Sequence, residues 1–183
     1  PAAMSAPGAV PGGFAPMPPQ QGVADKIGRI KMLQELVAKD PKNVEAWVAL
    51  GNDLFDTNQH QKSIEAYGRA LELQPDNPDV LTDQGVMYRA VGQFDQAIAN
   101  FEQAQKLAPD HLQSLINIAV VYDADLKKPE KAIAALEKCR DLAPKSLDAW
   151  ATLSDLLFEL KQFVVARQVL DRGLAANGDH PAL

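Results

Sequence analysis

Leu71-Glu72-Leu73-Gln74-Pro75 ends an amphipathic helical pattern, and the same ending returns twice further on. It reappears as Lys106-Leu107-Ala108-Pro109 and as Asp141-Leu142-Ala143-Pro144, with closing prolines 34 and 35 residues apart. Trp47 and Trp150 stand at equivalent places three periods apart. A period of this length signals a solenoid, in which no unit buries its apolar face alone and stacking supplies the core. The functional search therefore shifts from a catalytic pocket to a binding surface.

Outward from these endings, the chain reads as four units of two helices. The first helices are expected near 44–57, 78–91, 112–125 and 146–159, and the second near 60–73, 94–107, 129–142 and 163–176. The unit bounds are 44–77, 78–111, 112–146 and 147–178, followed by a tail, 179–183. Asp76-Asn77-Pro78 supplies turn chemistry between units, and Asp110 and Ser146 are N-cap candidates. The third unit carries one extra residue between Tyr122 and Ala132. It is assigned to the turn Asp125-Leu126-Lys127-Lys128-Pro129, since loops tolerate insertion. Residues 23–40 form one more helix. It ends before Pro41, which lies 34 residues ahead of Pro75, so the helix is in phase with the second helix of a partial repeat.

The units resemble the tetratricopeptide repeat, a pattern of Trp, Leu, Gly and Tyr on the first helix and Ala, Phe, Ala and Pro on the second. The first unit shows Trp47, Leu50, Gly51, Leu54, Ser63, Tyr67, Ala70 and Pro75. The second shows Leu81, Gln84, Gly85, Tyr88, Ala97, Phe101, Ala104 and Pro109. The third shows Leu115, Ile118, Ala119, Tyr122, Ala132, Leu136, Cys139 and Pro144. The fourth shows Trp150, Leu153, Ser154, Leu157, Ala166, Leu170 and Gly173, and lacks the last proline in phase. The resemblance implies an all-α, right-handed solenoid of antiparallel helix pairs, with small residues where helices cross closely and Tyr67, Phe101, Leu136 and Leu170 filling the space between units.

Composition excludes several function classes. The net charge of −6 disfavours nucleic acid, whose backbone is bound by Lys and Arg. No stretch has the roughly 18 consecutive apolar residues of a membrane span. The single Cys139 forms no intrachain disulfide and reads as a packed core residue. His60, His111 and His180 stand apart from one another and at no metal-ligand spacing. No phosphate loop or nucleophile elbow appears. Neither catalysis nor a cofactor is expected.

Residues 1–22 hold six of the 13 prolines, four of the 11 glycines and no charged residue. Such a segment reads as a linker. Pro16, Pro18 and Pro19 also suit a polyproline ligand, and Val10, Phe14 and Met17 suit a segment folding back onto this protein or a neighbour. A Pro/Ala/Gly linker ahead of such repeats resembles the soluble part of membrane-anchored bacterial assembly factors.

In tetratricopeptide arrays the first helices line a concave surface where ligands lie. By position, the resemblance nominates Glu45, Val48, Asn52 and Phe55 in the first unit and Asp79, Thr82, Val86 and Arg89 in the second. It nominates Ile116, Asn117, Val120 and Asp123 in the third, and Asp155 and Phe158 in the fourth. Val48, Phe55, Val86, Ile116, Val120 and Phe158 would form a broken apolar stripe among acids. Two readings stand: support for helix packing, or a groove for a protein or peptide segment with apolar and basic residues. The chaperone-binding members' carboxylate clamp is not expected, because Val48, Asp83 and Gln113 stand where clamp side chains would be, beside the matching Asn52 and Asn117. The expected function is a non-catalytic interaction scaffold in assembly of a multiprotein complex. A self-assembling homo-oligomer and a subunit of a larger enzyme are the alternatives. Apolar residues of the last helix, Phe163, Val164 and Val165 among them, offer a second contact surface.

Overall fold

A computed structural model describes residues 19–142, 147–159 and 163–177. In chain order they form α1 (Pro19–Lys39), α2 (Val44–Asp56), α3 (His60–Leu73), α4 (Pro78–Ala90), α5 (Phe94–Leu107) and α6 (Leu112–Val120). A π-helical stretch, Val121–Asp125, extends α6, and α7 (Pro129–Leu142), α8 (Leu147–Glu159) and α9 (Phe163–Asn177) follow. Each helix packs chiefly on its neighbours in sequence, as a solenoid requires. Ser146 and Pro144 lie outside the described residues, as do the side chains of Phe163, Val164 and Val165.

Local chemistry sets the helix starts. The Asn43 side chain accepts from the Ala46 N–H at 2.9 Å, and Asn77 accepts from Val80 at 3.1 Å. Each such cap contributes about 1 kcal/mol. Pro78 follows its cap at the first helical position, where its missing N–H costs nothing. At α6 the cap is His111 rather than Asp110, with no side-chain bond to the helix; the Ser114 hydroxyl instead donates to the His111 carbonyl at 2.7 Å. Helix α1 begins at Pro19, earlier than the apolar period indicates, because proline suits a first turn.

The extra residue of the third unit is not in the turn. Turns 57–59, 91–93 and 126–128 have the same length, and each carries a left-handed middle residue: Asn58 (φ 57°), Gly92 (φ 78°) and Lys127 (φ 54°). Equivalent hydrogen bonds close them, from Gln59 to Leu54, Gln93 to Tyr88 and Lys128 to Tyr122, at 2.8, 2.8 and 2.7 Å. The third spans one residue more. The insertion therefore sits in the π-helical stretch, where Leu126 N–H reaches the Val121 carbonyl at 3.0 Å. A π-bulge widens one helical turn and leaves the hairpin intact. Lengthening the turn would displace the left-handed residue that reverses the chain.

Close crossing is enforced by rings over glycines. A Cβ on Gly51 would stand 2.5 Å from the Tyr67 ring, and one on Gly85 2.5 Å from Phe101. Tyr67 and Phe101 are buried, and each also reaches the next unit: Tyr67 packs with Val80 and Met87, Phe101 with Ile118 and Val121. Leu136 joins Leu153, Leu157 and Ala166 in the same way. Cys139 is buried against Leu115. The core is thus a row of clusters, most of them bridging units.

Helix α1 docks on α2 and α3. Ile30 and Val37 are buried with Leu50, Leu54 and Ala66. Arg29 forks onto Asp53, with Nε 2.5 Å from Oδ2, and Lys26 pairs with Asp56. Asp53 has no exposed surface, and its guanidinium partner, held in two parallel bonds, makes that burial tolerable.

Candidate functional site

The nominated residues, carried on α2, α4, α6 with its π-helical extension, and α8, are found in three different conditions. Some are structural. Thr82 is 3% exposed, and its hydroxyl donates to the Pro78 carbonyl at 2.8 Å, so it lines no open surface. Val48 and Val86 are half-buried against the Tyr67–Met87 cluster, and Ile116 against Leu115 and Cys139. For these three the packing reading of the apolar stripe holds.

Others are open. Phe55 is 41% exposed and Phe158 is 63% exposed, at opposite ends of the array, with half-buried Val120 between them. Glu45, Asp79 and Asp155 are exposed, and Asp123 is half-buried in the π-helical stretch.

The rest are polar, two of them bonded and one not. Asn52 accepts from the Tyr67 hydroxyl at 2.7 Å. Arg89 pairs with Asp125, Nε to Oδ2 at 2.5 Å, tying α4 to the end of the π-helical stretch. Asp79 stands 3.1 Å from His111 Nε2. The buried Nδ2 of Asn117 has no hydrogen-bond partner within the described residues. Asp125 and His111 escaped the sequence reading as site partners, since residues 36 or 32 apart meet only once the superhelix is built; the Tyr67 hydroxyl, bonded to Asn52 15 residues away, was read only as part of a packing ring.

The electrostatics are acidic. Arg89 is neutralised by Asp125, and Asp79 on α4 stands beside the His111 ring. Asp83 is exposed at the surface, yet partial desolvation of its carboxyl raises it above its ordinary value, the Asp79 carboxylate raises it further, and His111 lowers it. The Tyr67 phenol is held well above its usual range, first by burial and then by Asp83. Two carboxylates one helical turn apart, neither satisfied by an arginine or lysine, favour an incoming cation. Among the described residues no group of three or more His, Cys, Asp or Glu is placed to hold a metal ion. No described helix is long and apolar enough to cross a membrane.

Tetratricopeptide repeat family models match residues 43–110, 79–145 and 123–183. The chain is 34% identical over 71 residues to small glutamine-rich tetratricopeptide repeat-containing protein 2 of Mycosarcoma maydis, covering 39% of this chain and 20% of that protein. It is 31% identical over 95 residues to the probable UDP-N-acetylglucosamine–peptide N-acetylglucosaminyltransferase SPINDLY of Solanum lycopersicum, covering 52% of this chain and 10% of that one. The chain thus spans a fifth or less of these relatives. Its fold superposes on the crystal structure of MamA with a TM-score of 0.75, covering 90% of this chain and 95% of that one at 20% identity. Periodic sequence, stacked helix pairs and matching family models agree that the chain belongs to the tetratricopeptide repeat family, a fold that acts through protein–protein contacts.

Proposed function

We propose that the side formed by α2, α4 and α6 is a groove for a peptide or helix segment carrying apolar and basic residues, and that the chain acts as a non-catalytic adaptor in assembling a protein complex. The observation that carries this is the Asp79–Asp83 pair. It holds two exposed carboxylates four residues apart, on one face of α4, and the Asp79 charge helps to raise the Asp83 carboxyl. A lysine or arginine set between them relieves that repulsion. Phe55 and Val120 supply apolar contact on either side, and the unpartnered Asn117 amide suits a peptide carbonyl. Acids of this kind steer a cationic partner and select against an anionic one.

The test is fluorescence anisotropy with a labelled amphipathic peptide of leucine and lysine, and with its glutamate counterpart. The lysine peptide should bind with an affinity that falls as salt rises. Asp79→Asn with Asp83→Asn should weaken it about tenfold, as expected when opposed charges are lost at an interface. Phe55→Ala should weaken it independently of salt. Equal or tighter binding of the glutamate peptide, or of an acidic C-terminal peptide, would remove this reading.

A further inference from the structure

The seams between successive units are not equally closed. The seam of α3 and α5 over α4 is filled by side-chain amides. Asn100 Nδ2 donates to Gln84 Oε1 at 2.8 Å, and Gln84 Nε2 donates to the Ile64 carbonyl at 2.9 Å. The bonds thus cross from α5 through α4 to α3. Gly68 leaves room for them, since a Cβ there would stand 3.4 Å from Gln84 Nε2. In the other two seams the places of Gln84 and Asn100 are taken by Leu50 with Ala66, and by Ile118 with Ala135. Those side chains make no such bridge.

Both of those seams are open. A cleft of about 250 Å³ lies between α1 and α3, lined by Trp47, Leu50 and Leu54 of α2. One of about 430 Å³ lies between α5 and α7, lined by Leu115 and Ile118 of α6. Such volumes are near the small end for ligand sites, and each suits one large side chain presented by a partner. The Trp47 indole N–H already donates to the Pro41 carbonyl at 3.0 Å, so the ring offers apolar contact.

The rim charges say what accompanies that side chain. The position held by Gln103 in the closed seam is Arg69 and Lys138 in the open ones. Each open rim carries two cations to one acid: Lys62 and Arg69 with Glu65, and Lys106 and Lys138 with Glu102. This occurs in a chain of net charge −6. Arg69 is bonded to Glu72 at 2.7 Å on the exposed surface, whereas Lys62 and Lys138 are bonded only to the neutral Gln59 and Gln105.

We propose that these two seams are docking sites for an acidic segment of a partner protein. Each takes one leucine or aromatic side chain into the cleft, with a neighbouring carboxylate set on the rim cations. The seams share no residue with the Asp79–Asp83 site and are tested independently of it. Lysines without an acid partner beside an apolar floor attract carboxylates and repel a cationic segment. Residues 1–18 lie outside the described residues, and their uncharged sequence offers these rims no carboxylate. A second copy would set one net charge of −6 against another, which opposes self-association. One side chain with one or two exposed ion pairs gives affinity of about millimolar order, so the glutamate peptide stays weaker than its lysine counterpart.

The test is a titration of the full, isotope-labelled chain with a short capped peptide of one leucine among glutamates, followed by amide chemical shifts. The Trp47 indole signal reports the first seam and the amides of α7 the second. Both should shift and saturate at about millimolar peptide, while the side-chain amide signals of Gln84 and Asn100 stay still. Lys62→Gln with Arg69→Gln, both at exposed positions, should weaken the first seam about two- to fivefold and leave the second unchanged. Lys106→Gln with Lys138→Gln should do the reverse. A lysine version of the peptide that shifts the same signals as strongly, equal movement at Gln84 and Asn100, or no saturation by about 10 mM overturns the proposal. So does movement of these signals with protein concentration alone, which would assign the seams to a second copy.

Discussion

Gly85→Ala pits helix propensity against packing, and the structure decides the sign. In the middle of α4 the change should gain about 1 kcal/mol, since glycine is the poorest ordinary helix residue. The added Cβ, however, would stand 2.5 Å from Phe101 Cε1, 2.9 Å from Cδ1 and 3.0 Å from Cζ. Carbon atoms rest at about 3.5–4.0 Å, so the ring must withdraw by roughly 1 Å. It has nowhere to go: Phe101 is 0% exposed and enclosed by Ala97, Ile98, Ile118 and Val121. Overpacking of that kind costs about 1–3 kcal/mol, and a fully enclosed ring belongs at the upper end. The net expectation is a loss of about 1–2 kcal/mol. Gly28→Ala is the control, because nothing lies within 4 Å of its Cβ, and it should gain about 0.5–1 kcal/mol. Urea unfolding followed by circular dichroism measures both, with amide exchange across α4 and α5 added because repeat arrays can open in parts. Adding Phe101→Leu should recover part of the Gly85→Ala loss, a coupling of about 1 kcal/mol in a double-mutant cycle. A Gly85→Ala protein as stable as the native one, or no coupling to position 101, would refute the close-crossing account of the stack.

Three further outcomes are expected. Asp83 has a raised folded value, so the folded chain binds its proton more tightly than the unfolded chain, and stability falls as pH rises through that value. Asp83→Asn should therefore raise Tm at neutral pH, with the gain fading as pH approaches the ordinary value of 3.8; a Tm gain that persists in acid would point to another cause. Arg29→Ala strips the buried Asp53 carboxylate of its partner and should speed amide exchange in α1 with α4 to α7 unaffected, while unaltered exchange would mean that Ile30 and Val37 dock the helix alone. Deleting Ala124 should convert the π-helical stretch to α-helix and keep the turn at Leu126–Lys128, with helical content and cooperative unfolding retained; collapse of the C-terminal units would show that the insertion serves their placement.

The repeat period made most of the fold legible. Prolines at fixed intervals, small residues at crossing points and aromatic residues three or four positions on are local in sequence and tied to helical geometry. The site was legible only by position. Thr82 carried the right register, yet lies inside, because a β-branched hydroxyl four residues after Pro78 bonds back to its carbonyl. Val48, Val86 and Ile116 fell partly into the core because neighbouring units close over them. The extra residue went to the helix rather than the turn, since a left-handed turn residue is conformationally stricter than the last turn of a helix.

The sequence by itself determined the helix pairs, their period and the acidic balance, because each rests on contacts within about one turn or on simple composition. The tertiary structure alone decided which carboxylates are paired, which apolar residues stay open and which seams between units stay unfilled. Asp79 with His111, Arg89 with Asp125 and Arg29 with Asp53 are joined across 32, 36 and 24 residues. Those meetings depend on the rotation from one unit to the next, a property of stacked helices that no single unit's sequence contains.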